Sequence, residues 1–325
     1  MGEHAMEHAH PTGYICMAVY RPRQDLLRRQ IDSLRSQSLT EWRCLVGIDG
    51  YDSSARAEVE AAVGGDGRFE IVEFPNNVGF YRNFERILEL VPSEVTWIAL
   101  SDQDDEWFPE KLATLKADLG EAAMAFCQAM VVSVDPQGES VATRRRAVEL
   151  GAEMIDNQVT GSACMFRRDL LNLALPFPEP TDLGFHDHWL GVCALVSGGI
   201  FAEPTPLQFY VQHEDNVIGE ERTRSLIGRV AGTVSKARGR SSGALKYLSD
   251  HRWGWRVSMA RRLISADIAL QDDDAATLRA FAEGRVSSGL LRVLWRSVMS
   301  GEAPAARAIG LLIGSLRSPT LRSQR

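Results

Sequence analysis

Long apolar runs are missing from this sequence. The nearest candidate, Trp189 to Ala202, falls short of the ~20 residues that span a bilayer, and Gly198-Gly199 interrupts it. No membrane-spanning helix is expected. Cysteine is scarce: Cys16, Cys44, Cys127, Cys164 and Cys193 are odd in number, widely spaced and set in apolar stretches without a C-x-x-C pair. That pattern favours reduced, buried thiols in a cytoplasmic protein over a disulfide or zinc framework. Two phosphate-binding loops are also missing. No G-x-G-x-x-G follows the first strand signal, and no G-x-x-x-x-G-K-[ST] occurs anywhere. Their absence argues against a dinucleotide dehydrogenase and a P-loop NTPase. The N-terminus, Met1-Gly2-Glu3-His4-Ala5-Met6-Glu7-His8, lacks the apolar segment of a signal peptide. Residues 1–13 read as a flexible tail, with His4 and His8 assigned no site.

What is present is a 325-residue chain, 45% hydrophobic and 24% charged, with a net charge of -7. Such a chain can bury a core without staples, and its length suggests a large domain plus an appendage. The charge is uneven. From residue 222 onward there are 19 Lys and Arg against 7 Asp and Glu, whereas the preceding residues hold 17 against 36. The acidic part suits cation binding, and the basic part suits an anionic surface. Residues 14–220 are expected to form the main domain and 221–325 a basic helical region, with a linker at 233–244 (TVSKARGRSSGA).

The first half alternates strand and helix signals. Apolar runs at 14–20, 42–48, 69–74, 95–100 and 123–134 read as strands. Helical spacing links Leu27, Ile31 and Leu34, then residues 53–63, then Phe80, Phe84, Ile87, Leu88 and Val91. Pro109 suits the first turn of another helix. A short strand at 161–166, a helix at 187–196, a last strand at 209–213 and arginine-rich helices complete the reading. The order predicts an α/β fold with a doubly wound, mostly parallel sheet. Ligands bind such sheets beyond the carboxyl ends of the strands. Asp49 and the run Asp102-Gln103-Asp104-Asp105 fall there.

Carboxylates crowded at a strand end repel one another unless a cation is held between them. Hard oxygen donors suit Mg²⁺ or Mn²⁺ shared with substrate phosphates. A solvated acidic turn is the alternative. Tyr20-Arg21-Pro22-Arg23 stands where a glycine-rich phosphate loop would stand, so a metal and cationic side chains must hold the phosphates.

The sequence resembles family 2 glycosyltransferases of the GT-A fold over roughly residues 14–220. The matching stretches run in order: the first strand through Tyr20, Asp49-Gly50, Asn77-Val78-Gly79 with Arg82-Asn83, and Ser101 to Leu112 (SDQDDEWFPEKL). Gly161-Ser162-Ala163, His186 to Leu190 (HDHWL) and Gln212 to Gly219 (QHEDNVIG) follow. The later stretches resemble the bacterial rhamnosyltransferase and O-antigen subset.

The resemblance implies a GT-A sheet flanked by helices, with a helical C-terminal extension. It implies an inverting, metal-dependent transfer of a sugar, rhamnose in the leading reading, from a nucleoside diphosphate to a hydroxyl. The acceptor would be a saccharide or a lipid-linked molecule in surface polysaccharide synthesis. Tyr20, Asp49, Arg82, Asp102 and Gly161 would belong to the nucleotide-sugar site, and Trp189 would line the sugar or acceptor pocket. Asp104 would ligate the cation, with His213 completing metal or diphosphate binding, and Asp187 would be the base. Plain readings stand beside these: Asp187 as a helix-dipole charge, His213 as a surface-strand histidine, Arg82 as a solvated helix residue and the tryptophans as packing. Where the family has a second aspartate before Asp49, an acid before Asp187 and Thr or Ser at the first strand, this chain has Ile48, His186 and Ala18. A non-catalytic GT-A scaffold is the alternative function. The basic region, without a nucleic-acid-binding module, is expected at the inner face of the cell membrane, with no nucleic-acid partner; a soluble helical lid whose arginines pair with the acidic domain is the alternative.

Overall fold

The structure, a computed structural model, describes residues 12–133, 140–180, 183–212 and 247–317. The chain divides into two compact units that interleave in sequence. The first takes residues up to 144, then 160–175 and 201–213; the second takes 145–159, 176–200 and 214 onward. Segments 145–159 and 176–200, inside the expected 14–220 catalytic domain, thus cluster with the C-terminal residues.

The first unit is built on one sheet. Strands β1 (Gly13–Val19), β2 (Trp42–Ile48), β3 (Phe69–Glu73) and β4 (Trp97–Ser101) pair in parallel in the order β3-β2-β1-β4. Helices α1 (Gln24–Arg35), α2 (Ser53–Val63) and α3 (Gly79–Leu88) make the crossovers. Leu27, Ile31 and Leu34 are fully buried, as their helical spacing requires. Asp52 caps α2 by accepting from the Ser54 and Ala55 amides. Gly13 opens β1 because a Cβ there would collide with the Trp97 ring. Gly13, the last residue of the expected tail, thus stands in β1, and residues 1–11 lie outside the described ones.

The far half of the sheet is antiparallel rather than parallel. After β5 (Glu106–Trp107) and α4 (Lys111–Leu119) come β6 (Met124–Ser133), β7 (Val141–Ala142), β8 (Cys164–Arg167) and β9 (Ile200–Gln212). β8 pairs antiparallel with both β4 and β6, and β5 with β9. β9 begins well before the expected 209–213 strand, because Pro204 and Pro206 hide it from a propensity reading.

The second unit holds α5 (Leu150–Ile155) and α7 (His186–Ser197); the short α6 (Leu171–Ala174) belongs to the first. A π-helical turn, Tyr247–Trp253, leads into helices Gly254–Ile264, Asp272–Ala282, Ser288–Met299 and Ala305–Arg317. Arg256, buried, donates to the Met154 and Ile155 carbonyls, placing a cation at the C-terminal end of α5. All five cysteines are free and buried. Among the described residues no helix is long and apolar enough to cross a membrane.

Candidate active site

Because β2, β1 and β4 are parallel neighbours, their carboxyl ends bring Asp49, Tyr20 and the acidic turn to one edge of the sheet. Gln103 binds this edge together. Its side-chain amide accepts from the Tyr20 amide at 2.8 Å and donates to the Tyr20 carbonyl at 3.1 Å. The middle residue of D-x-D thus pins the end of β1 to the turn after β4. The neighbouring Arg21 has φ 43, a left-handed conformation uncommon outside glycine. Below, Ser101 accepts from Gln30 of α1 at 2.9 Å.

Asp49 is buried. Its two oxygens accept from the Val78 and Gly79 amides at 2.9 Å each, at the positive end of α3. Arg86 donates to the same carboxylate and stacks over the Phe74 ring at 3.9 Å. Gly50, at φ 97, makes the turn that follows. Arg82, selected from the sequence, pairs with Glu85 on its own helix. Asn83 ties α3 to β2 by donating to the Gly47 carbonyl. Sequence reasoning passed over Arg86. It lies one turn after Arg82, on the side of α3 that faces β2.

The acidic turn separates into two kinds of carboxylate. Asp102 and Asp104 are half-buried, while Asp105 is buried. Asp105 accepts from Gln208 at 3.4 Å, and Gln208 also donates to Ser162 at 3.1 Å. Lys111, fully buried, donates to the Ser162 carbonyl and to the Gln208 amide oxygen, both at 2.5 Å, and lies 3.5 Å from the Trp107 ring. Burial, with Asp104 nearby, pushes the Asp105 carboxyl up, and burial draws the Lys111 ammonium down. Asp105 therefore supports the turn from beneath. Gly161 opens the 3-10 turn that carries Ser162, so the network joins it to the acidic turn. A sequence signal for Lys111 existed: it shares the buried face of α4 with Leu112, Leu115 and Leu119. Lys111→Met is expected to lower unfolding free energy by about 2–4 kcal/mol, because the buried Ser162 carbonyl and Gln208 amide oxygen would lose their donor. Urea titration measures this, and an unchanged midpoint would show the network to be dispensable.

Among the described residues no cluster of three or more His, Cys, Asp or Glu side chains could hold a metal. His213 lies outside the described residues. The donors at the acidic turn are two half-buried carboxylates, Asp102 and Asp104. Such hard oxygen donors fit a Mg²⁺ or Mn²⁺ ion whose remaining ligands come from phosphate and water.

In the second unit Asp187 is half-buried at the first turn of α7 and accepts from the His188 amide at 2.7 Å. Desolvation pushes its carboxyl up to about 6, against hydrogen bonds from His188 and Asn157 and the charge of Arg145. Glu153 on α5 is buried, and both its oxygens accept from the Gln158 amide at 3.1 Å. Burial first, then the charges of Asp187 and Asp156, push Glu153 up to about 8. A Cβ on Gly191 would meet Glu153 Oε1 at 3.5 Å and Val159 at 2.8 Å, so the glycine lets α7 approach closely. His188 Nδ1 accepts from the Trp255 indole at 3.3 Å, which leaves Nε2 to donate to the Glu153 carbonyl at 2.9 Å. His186 is buried and neutral, held down to about 3 by desolvation. Trp189, Trp253 and Trp255 have no exposed surface and pack this unit. For Trp189 that is packing, not an open pocket wall. Glu153 escaped sequence analysis because it stands in a short helix without a recognisable motif.

Residues 14–173 match glycosyl transferase family 2. A structure of S. aureus TarS in complex with UDP-GlcNAc shares the fold at TM-score 0.55 and 12% identity, covering 94% of this chain and 89% of that one. A mannosyltransferase, PcManGT from Pyrobaculum calidifontis, in complex with GDP-Man and Mn²⁺, aligns at TM-score 0.50 and 13% identity, covering 95% of this chain and 87% of that one. No curated protein matches the sequence.

Proposed function

We propose, on the premise that residues 14–173 are a glycosyl transferase family 2 domain and the chain a glycosyltransferase of the GT-A fold, that it transfers a sugar from a nucleoside diphosphate to an acceptor hydroxyl with inversion and with a divalent cation. The observation that carries this reading is the acidic turn at the end of β4, clamped through Gln103 to the end of β1. The UDP-GlcNAc and GDP-Man complexes of the structural relatives support a sugar nucleotide as donor, and the Mn²⁺ in one supports the cation.

Asp104, with Asp102, holds the Mg²⁺ or Mn²⁺, and His213 completes metal or diphosphate binding. A bound divalent cation neutralises charge growing on the departing diphosphate. Tyr20, Arg82 and Gly161 contribute to the nucleotide-sugar site. Asp49 faces the nucleobase. An ionised carboxylate offers about four acceptor positions, and three of those on Asp49 are taken by Val78, Gly79 and Arg86. The fourth suits a single ring N–H, as on N3 of uracil or thymine. The Asp187 carboxylate accepts the proton of the attacking hydroxyl. One base and one displacement invert the anomeric centre, with no covalent enzyme intermediate.

The donor is a uridine or thymidine diphosphate sugar, with dTDP-rhamnose first. The acceptor is a saccharide or lipid-linked molecule of a surface polysaccharide, met at the cytoplasmic face of the membrane. Residues 14–220 carry catalysis, and 221–325 form the basic region that associates with the membrane. A turnover screen of nucleotide sugars with and without Mg²⁺ or Mn²⁺ tests the activity. Calorimetry tests the base pocket: UDP or dTDP should bind more tightly than GDP, and the reverse order would remove Asp49 from nucleobase selection.

A further inference from the structure

Two C-terminal helices turn large apolar side chains outward. In Ser288–Met299, Leu290 and Leu294 are buried, whereas Leu291, Trp295 and Met299 are exposed one turn apart. In Ala305–Arg317, Ala308 and Leu311 are buried, whereas Ile309, Ile313 and Leu316 form a second exposed stripe. Trp295 is 67% exposed, although the six other tryptophans of the chain are at most 2% exposed. Neither helix contains Asp or Glu. Arg292 and Arg296 follow Leu291 and Trp295 on the exposed face. Arg296 meets Asp273 at 3.1 Å, but both side chains are largely in solvent, where such a pair holds weakly.

Apolar residues in helical register that face water mark an interaction surface, and the chemistry beside them selects the partner. Tryptophan with aliphatic neighbours suits the boundary between headgroups and acyl chains, and arginines at its edge suit lipid phosphates. A second copy docking through the same face about a two-fold axis would bring like patches together, setting these arginines near their equivalents. An anionic leaflet neutralises them instead. We propose that the outward faces of these two helices are a monotopic membrane-docking surface whose apolar stripes enter an anionic leaflet. This deepens the peripheral association proposed above, and rests on it. That reading needs only net charge; this one requires insertion by named side chains.

Collisional quenching isolates the event, because Trp295 alone among the tryptophans is exposed. Full-length protein is mixed with phosphatidylcholine–phosphatidylglycerol vesicles carrying brominated acyl chains. Trp295 emission is expected to be quenched, and Trp295→Phe should remove the quenched component. A Leu291→Ser, Ile309→Ser, Ile313→Ser variant keeps the reporter. It should lose vesicle affinity about tenfold or more, because apolar area no longer leaves water, with an unchanged thermal midpoint. Co-sedimentation without quenching would overturn insertion and leave the charge-based association standing. No binding to anionic vesicles at low salt would overturn both. Shielding of Trp295 from acrylamide without vesicles, with a doubled mass by light scattering, would assign the face to a second copy and overturn the proposal.

Discussion

Asp187→Asn is expected to slow sugar transfer by about 10²–10⁴-fold, the range for loss of a general base, while nucleotide-sugar binding stays near that of the parent. The amide keeps the size of the side chain and can still accept from the His188 amide, so α7 keeps its first turn. It cannot take the acceptor proton. The pH profile supplies an independent readout. In the proposed role the ionised form of Asp187 is the active one, and desolvation pushes its carboxyl up to about 6. Transfer should therefore fall as pH drops through about 6 and be fully present above it. The groups around it agree with this sign. Arg145 and the hydrogen bonds from Asn157 and His188 limit the rise. His186 and His188 are held neutral by burial. Glu153, pushed up to about 8, adds little negative charge at neutral pH. Equal losses of donor affinity and turnover would assign Asp187 a structural role instead. A rate unchanged by the substitution would remove it from the reaction.

Asp104→Asn should reduce metal-dependent turnover by about 10²–10³-fold, since Lewis-acid stabilisation supplies several kcal/mol at roughly 1.4 kcal/mol per factor of ten. Asp105 cannot substitute, because Gln208 engages it and it is buried over the Lys111 network. The thermal midpoint should stay near the parent value, as expected for a change on a half-buried turn. Titration of Mn²⁺ into the variant with a nucleoside diphosphate present should show weakened binding. Turnover at the parent rate with the same metal requirement would place the cation elsewhere. Asp104→Asn and Lys111→Met report on different properties. The first removes charge from the turn and the second removes support beneath it, so their losses should appear in activity and in stability respectively.

The parallel half of the sheet was legible because its signals are local. The apolar runs give β1, β2, β3 and β4 within about a residue or two of where they form, and the range read for α2 is its observed range. Helical spacing identified the buried face of α1. The run after β4 placed the carboxylates at the correct edge, since parallel crossovers put the ends of β1, β2 and β4 together. The antiparallel half was less legible. Pro204 and Pro206 conceal the start of β9, and β5 is two residues long.

By itself, the sequence determined the parallel strands with their crossover helices, the sheet edge where Asp49 and the acidic run stand, and the resemblance to a glycosyltransferase family. The elements depend on periodicity and turn chemistry read within a few tens of residues, and the resemblance on the order of short motifs along residues 14–220. Only tertiary structure decided what each charge in the site does. It divided the acidic run into half-buried Asp102 and Asp104 and buried Asp105. It joined Lys111 to Gln208, 97 residues away, and gave His188 its tautomer through Trp255, 67 residues away. It placed Glu153 where its charge and that of Asp187 interact, and it committed the Asp49 carboxylate to α3 and Arg86. The physical reason is the same in each case. Desolvation and hydrogen bonding depend on which distant side chains exclude water from a group, and folding alone brings those side chains together.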